Sequence, residues 1–214
     1  MDLLREFMSI REDRTERWPQ IKKILESDTA LLQVRDSYGY SIIHAPLLFN
    51  HLDILRDIVQ LIQRQYPECQ DILEKESNFG VTPIMVSTRH KDGKCFNFLV
   101  QNCPSGTTIL NKANNYGFTV AHYAAVEDNV IAMKLILKCY GLQALIRLSH
   151  SGSPPLRMAG SGIKKYFAEK KIPELVHEYE LIPDYFEPDS LVSLMLGVLK
   201  QNTEICFYRL VKCP

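Results

Sequence analysis

Asn114-Asn115-Tyr116-Gly117-Phe118-Thr119-Val120-Ala121-His122-Tyr123-Ala124-Ala125 decides the fold of this chain, because three related stretches stand in the same sequence. Upstream lie Asp36-Ser37-Tyr38-Gly39-Tyr40-Ser41-Ile42-Ile43-His44-Ala45 and Ser77-Asn78-Phe79-Gly80-Val81-Thr82-Pro83-Ile84-Met85-Val86. Downstream lies Ser151-Gly152-Ser153-Pro154-Pro155-Leu156-Arg157-Met158-Ala159. The central glycines are 41, 37 and 35 residues apart. Self-similarity at such a period is the mark of stacked units, none of which can bury its apolar face alone. Glycine at the centre allows a positive φ at a turn tip. A hydroxyl residue beside proline opens a helix, the first by capping and the second by its fixed φ. Ala124 and Ala125 are small enough for a neighbouring helix to come close, and apolar residues then recur at helical spacing.

These residues resemble the ankyrin repeat, which opens Asp-x-x-Gly-x-Thr-Pro-Leu-His-x-Ala-Ala and continues Gly-His-x-Glu-Ile-Val-x-Leu-Leu. The third copy keeps Gly117, Thr119, His122, Ala124 and Ala125. The second keeps Gly80, Thr82 and Pro83, with Met85 in the histidine's place. The first keeps Asp36, Gly39 and His44, and its His51-Leu52-Asp53-Ile54-Leu55 follows the second half. The resemblance implies an all-α solenoid of stacked helix pairs with short β-hairpin or loop fingers. It does not name a partner, because such arrays share a scaffold and differ in their surfaces.

The period divides the chain as follows. Residues 1–35 form an N-terminal helical capping unit, with helices expected over 2–12 and 15–27 and a charged outer face. Four repeats follow at 36–76, 77–112, 113–148 and 149–173. The expected helices are 42–49 and 52–65, then 83–90 and 95–102, then 120–126 and 130–140. In the degenerate fourth unit Gly160 and Gly162 interrupt the first helix, and the second is expected at 163–170. Pro67 breaks a helix, residues 71–73 add a turn, and Gly141 stops the helix before it. Residues 174–189 carry six acids and no Lys or Arg, and read as an extended connector. Residues 188–214 read as a C-terminal helical cap or divergent repeat.

Bulk properties narrow the function classes. Among 214 residues, 25 basic side chains balance 25 acidic ones. There is no global pull toward nucleic acid or an anionic membrane. The longest apolar run, 191–199, is far short of the roughly 20 residues that span a bilayer. The N-terminus has no signal-peptide pattern. Six cysteines without a CxxC pair read as reduced, buried thiols, so a cytoplasmic address is expected, in the protein's own cell or in a host cell.

The chemistry-bearing residues have structural explanations. By the resemblance, His44 and His122 link neighbouring turns, and His51 stands at a second-helix start. His90, His150 and His177 have no repeat role. A cysteine–histidine nucleophile would need an orienting group and an oxyanion site that no spacing suggests. Gly160-Ser161-Gly162-Ile163-Lys164-Lys165 lacks the phosphate-loop arrangement and reads as a loose helix start, while His177-Glu178 has no second histidine for zinc. Lys164, Lys165, Lys170 and Lys171 form a small basic face. No catalytic residue, metal or cofactor is expected, and the chain is expected to be a monomer and not an enzyme.

The resemblance implies a cupped array that meets a partner protein on its concave side, with the turn tips as fingers and the first helices lining a palm. The tips carry Tyr38, Tyr40, Phe79, Tyr116 and Phe118. The palm takes Ala45, Leu48 and Phe49, then Val86, Arg89 and His90, then Tyr123, Val126 and Glu127. Aromatic and arginine side chains are the types enriched at interface hot spots. The expectation is a non-catalytic protein–protein interaction scaffold. The alternative is a microbial effector or adaptor in which the array recognises a host protein and 174–214 recruits or carries a second activity.

Overall fold

The computed structural model describes Phe7 and residues 15–169. The helix expected over 2–12, the acidic connector, the C-terminal cap, Lys170 and Lys171 lie outside the described residues. The described residues are mostly helical, with a single isolated bridge, Ala113 to Thr119, in place of strands.

One turn is built four times. Asp36 N–H donates to Tyr40 O at 3.0 Å, Ser77 N to Val81 O at 2.9 Å, Asn114 N to Phe118 O at 2.9 Å and Ser149 N to Ser153 O at 3.1 Å. The opening side chain accepts from the backbone two and four residues on. Asp36 Oδ1 takes Tyr38 N and Tyr40 N, Ser77 Oγ takes Phe79 N and Val81 N, and Asn114 Oδ1 takes Tyr116 N and Phe118 N. Ser149 Oγ takes Ser153 N. Three residue types do one job, since each offers an oxygen at short reach. Gly39, Gly80, Gly117 and Gly152 sit at φ between 73° and 79°.

Consecutive turns are bonded to one another. Asn78 N donates to Tyr38 O at 2.9 Å, Asn115 N to Phe79 O at 3.1 Å and His150 N to Tyr116 O at 2.9 Å. The asparagine side chains repeat the step, Asn78 Nδ2 to Ser37 O and Asn115 Nδ2 to Asn78 O. The turn closes on its fifth residue and the helix start follows closely, so of the expected hairpin or loop fingers the described residues show tight turns.

Helix α1 is Trp18–Ser27. The first unit holds α2 (His44–Leu48) and α3 (Leu52–Gln65), the second α4 (Pro83–Ser87) and α5 (Lys94–Asn102). The third holds α6 (Val120–Val126) and α7 (Val130–Tyr140), the fourth α8 (Pro155–Met158) and α9 (Ser161–Glu169). First helices pack on first helices, α2 on α4, α4 on α6 and α6 on α8. Second helices pack likewise, α1 on α3, α3 on α5 and α7 on α9. A 3-10 segment leads into each turn, at Thr29–Gln33, Pro67–Leu73, Gly106–Asn111 and Gly141–Leu145. These segments lengthen the units. The core runs through the stack, from Trp18, Ile21 and Leu25 through Leu55, Phe96 and Met133 to Ile163 and Phe167, all buried.

Helix α4 stops at Ser87, short of the expected residue 90. Ser87 Oγ donates to Ile84 O at 2.7 Å and Thr88 Oγ1 to Met85 O at 2.8 Å. Hydroxyls that bond back onto the preceding turn compete with helix continuation.

Candidate functional site

The loops after the first helices carry Phe49, Arg89, His90 and Glu127 of the expected palm, and the helices themselves carry the rest. Leu48 and Phe49 are half-buried at the end of α2, and Val86 is half-buried on α4. Arg89 follows α4 and is exposed. Glu127 is half-buried after α6, and burial raises its carboxyl above the ordinary range against the pull of Arg89, His90 and Lys91. The second and third units therefore bring Arg89 and Glu127 within electrostatic reach. Tyr123 is half-buried, and its hydroxyl accepts from Asn114 Nδ2 at 3.0 Å. Ala45 is buried and takes no part in the surface.

His90 is tied into the stack. Its Nε2 donates to Leu48 O at 2.9 Å, which bolts the second unit to the first. The finger aromatics divide into two groups. Tyr38 and Phe79 stack on each other along the tips, with centroids 6.5 Å apart. Tyr40 packs on His44 at 4.8 Å, and Phe118 meets His122 edge-on at 5.2 Å. Tyr116 is 44% exposed at its tip.

His122 shows why a histidine stands where it does. Thr119 N–H donates to His122 Nδ1 at 3.0 Å, so Nδ1 is the acceptor and the proton is on Nε2. Nε2 then donates to Ser153 O of the next unit at 3.0 Å. Burial pulls this imidazole down to about 4, so it is neutral at physiological pH. His44 repeats the arrangement with Ser41 N–H at 3.1 Å, and burial pulls it to about 3. Its Nε2 lies near the matching carbonyl, that of Val81, outside hydrogen-bond geometry.

The polar pair Asp128-Asn129 was not singled out from the sequence. Asn129 is fully buried, its Nδ2 donating to Thr88 O at 2.8 Å and His90 O at 2.9 Å while its Oδ1 caps α7 through Ala132 N. The carboxylate of Asp128 accepts from Gly162 N at 2.9 Å and Ile163 N at 2.8 Å. The Gly162 and Ile163 amides, which a phosphate at this stretch would need, are therefore taken by a carboxylate, and the Gly160 amide by Ala125 O. The available signal was position: Asn50 and Asp128, both at positive φ, each close a first-helix loop just before the second helix.

Other candidate chemistry is quiet. Burial raises the Cys95 thiol to about 11 and Cys103 to about 12, so both stay protonated at neutral pH. Cys139 is raised as well, again by burial. Among the described residues no group of three or more His, Cys, Asp or Glu is arranged to hold a metal ion. No helix among them is long and apolar enough to cross a membrane. Compared with protein-family models and with curated proteins, the chain matches none.

Proposed function

We propose that the chain is an ankyrin-type solenoid that acts as a non-catalytic protein-binding scaffold. The observation that carries the reading is the turn ladder. Four turns of one geometry are bonded tip to tip by Asn78 N, Asn115 N and His150 N, and first helix stacks on first helix beneath them. Such a scaffold holds side chains of different units at fixed spacing, so little conformational freedom is lost when a partner docks. The binding face is centred on exposed Arg89, with half-buried Leu48, Phe49, Val86, Tyr123 and Glu127 around it and exposed Tyr116 at the rim. An exposed cation set among partly apolar neighbours suits a partner that presents a carboxylate beside apolar side chains.

The test is affinity capture from a cell lysate with the intact chain, with Arg89→Glu and with Phe49→Ala/Tyr116→Ala. A protein held by the intact chain and lost from both variants, at unchanged melting temperature, supports the palm. Equal capture by all three contradicts it.

A further inference from the structure

We propose that the seam between the second and third units is the hinge of the array, opening first on its turn side about the buried Asn129. Three seams can be compared within one molecule. At the seam of the third and fourth units, His122 Nε2 reaches across to Ser153 O at 3.0 Å. At the seam of the first and second units, His44 stands in the same place beside the Val81 carbonyl, its buried Nε2 outside hydrogen-bond geometry, so that seam sets a donor beside an acceptor without a bond between them. At the middle seam the residue is Met85, fully buried, whose side chain has no N–H for Phe118 O, the carbonyl at the same turn position as Val81 O and Ser153 O.

A second, independent sign comes from Thr82. Its counterparts Ser41 and Thr119 each contact the histidine three residues on, at 3.1 and 2.9 Å. Thr82 Oγ1 has no hydrogen-bond partner, although the residue is fully buried. A buried hydroxyl left unbonded weakens the packed state relative to one that lets water in.

The far end of the same helices is well held. Asn129 bonds both Thr88 O and His90 O, and Lys91 Nζ lies 3.4 Å from Asp128 Oδ2. A seam pinned at one end of its first helices and under-bonded at the other opens as a hinge. Leu48, Arg89 and His90 lie on one side of it and Tyr123 and Glu127 on the other. Opening therefore changes the spacing of the palm. That consequence rests on the palm proposed above; the hinge itself does not.

Amide hydrogen exchange on the intact chain tests this without a partner, so its failure is distinct from failure of the binding reading. A uniform stack frays from its ends and protects its middle rung best. The hinge predicts the reverse: Asn115 N–H exchanges roughly threefold to tenfold faster than Asn78 and His150 N–H. Met85→His slows Asn115 selectively. Thr82→Val leaves the melting temperature unchanged or higher, whereas Thr119→Val lowers it by roughly 2–4 °C. Asn115 exchanging as slowly as, or more slowly than, the flanking rungs overturns the proposal, as does a loss on Thr82→Val equal to that on Thr119→Val. The wild-type comparison stands even where a variant does not fold.

Discussion

At the scale of single residues, the strongest constraints sit where one atom serves two units. Gly117 is one. Its φ is 79°, and an added Cβ would lie 2.7 Å from the His150 backbone nitrogen. Gly152 has the same turn with φ 73°, but no described atom lies within 4 Å of its Cβ position. Gly117→Ala is expected to cost about 1–3 kcal/mol from strain and collision together, and Gly152→Ala clearly less, from strain alone. Urea unfolding of the two variants checks the ordering.

The buried histidines give the stability a defined pH dependence. Both folded-state values lie below the ordinary 6.5, at about 4 for His122 and about 3 for His44. In the unfolded chain they take up protons as the pH falls through 6.5, while in the fold they remain neutral. Their contribution is thus complete above 6.5 and lost progressively toward pH 4, with a limiting slope of about 1.4 kcal/mol per pH unit per histidine. Glu127, raised by burial, acts with the opposite sign. The melting temperature is expected to fall between pH 6.5 and 4.5, and His122→Gln should flatten that fall by about half.

At the scale of elements, long periodic helices were the legible part. The expected bounds 52–65, 120–126 and 130–140 are those of Leu52–Gln65, Val120–Val126 and Val130–Tyr140. Each has an apolar stripe and a polar or glycine boundary at either end. The 3-10 segments at Thr29–Gln33 and Gly106–Asn111 were not read, because five or six residues are too few to show a period. A fixed offset would have found them. Leu32, Leu73, Leu110 and Leu145 are all buried, and each stands four residues before the residue that opens the next turn: Asp36, Ser77, Asn114 and Ser149. Each anchors its loop to the core. Leu110→Ala is expected to destabilise by about 2–5 kcal/mol, as a core deletion rather than a loop change, and chemical denaturation reads the difference.

The candidate site was legible in outline only. Position within the repeat placed the palm on the first helices, so exposed Arg89 was expected inside a helix over 83–90 and stands instead in the loop after α4. It could not say that His90 would be spent on Leu48 O, or that Tyr38 and Phe79 would stack on each other. Those outcomes depend on the neighbour's backbone, which a single unit's residues do not specify. The polar bolts Asp128 and Asn129 escaped for the same reason: their partners lie 34 to 41 residues away.

At the scale of the whole molecule, the described residues form near-equivalent units joined by seams, and the proposed function rests on the face they share. Neighbour-to-neighbour contact makes the stack quasi-one-dimensional, so surface changes on one unit should leave the others folded. Charge reversal at exposed Arg89 is therefore a clean probe of the palm. The most direct measurement is the affinity capture with intact chain, Arg89→Glu and Phe49→Ala/Tyr116→Ala, each first shown to melt at the same temperature. The account predicts a protein retained by the intact chain and lost from both variants. Identical capture by all three would contradict a binding face centred on Arg89.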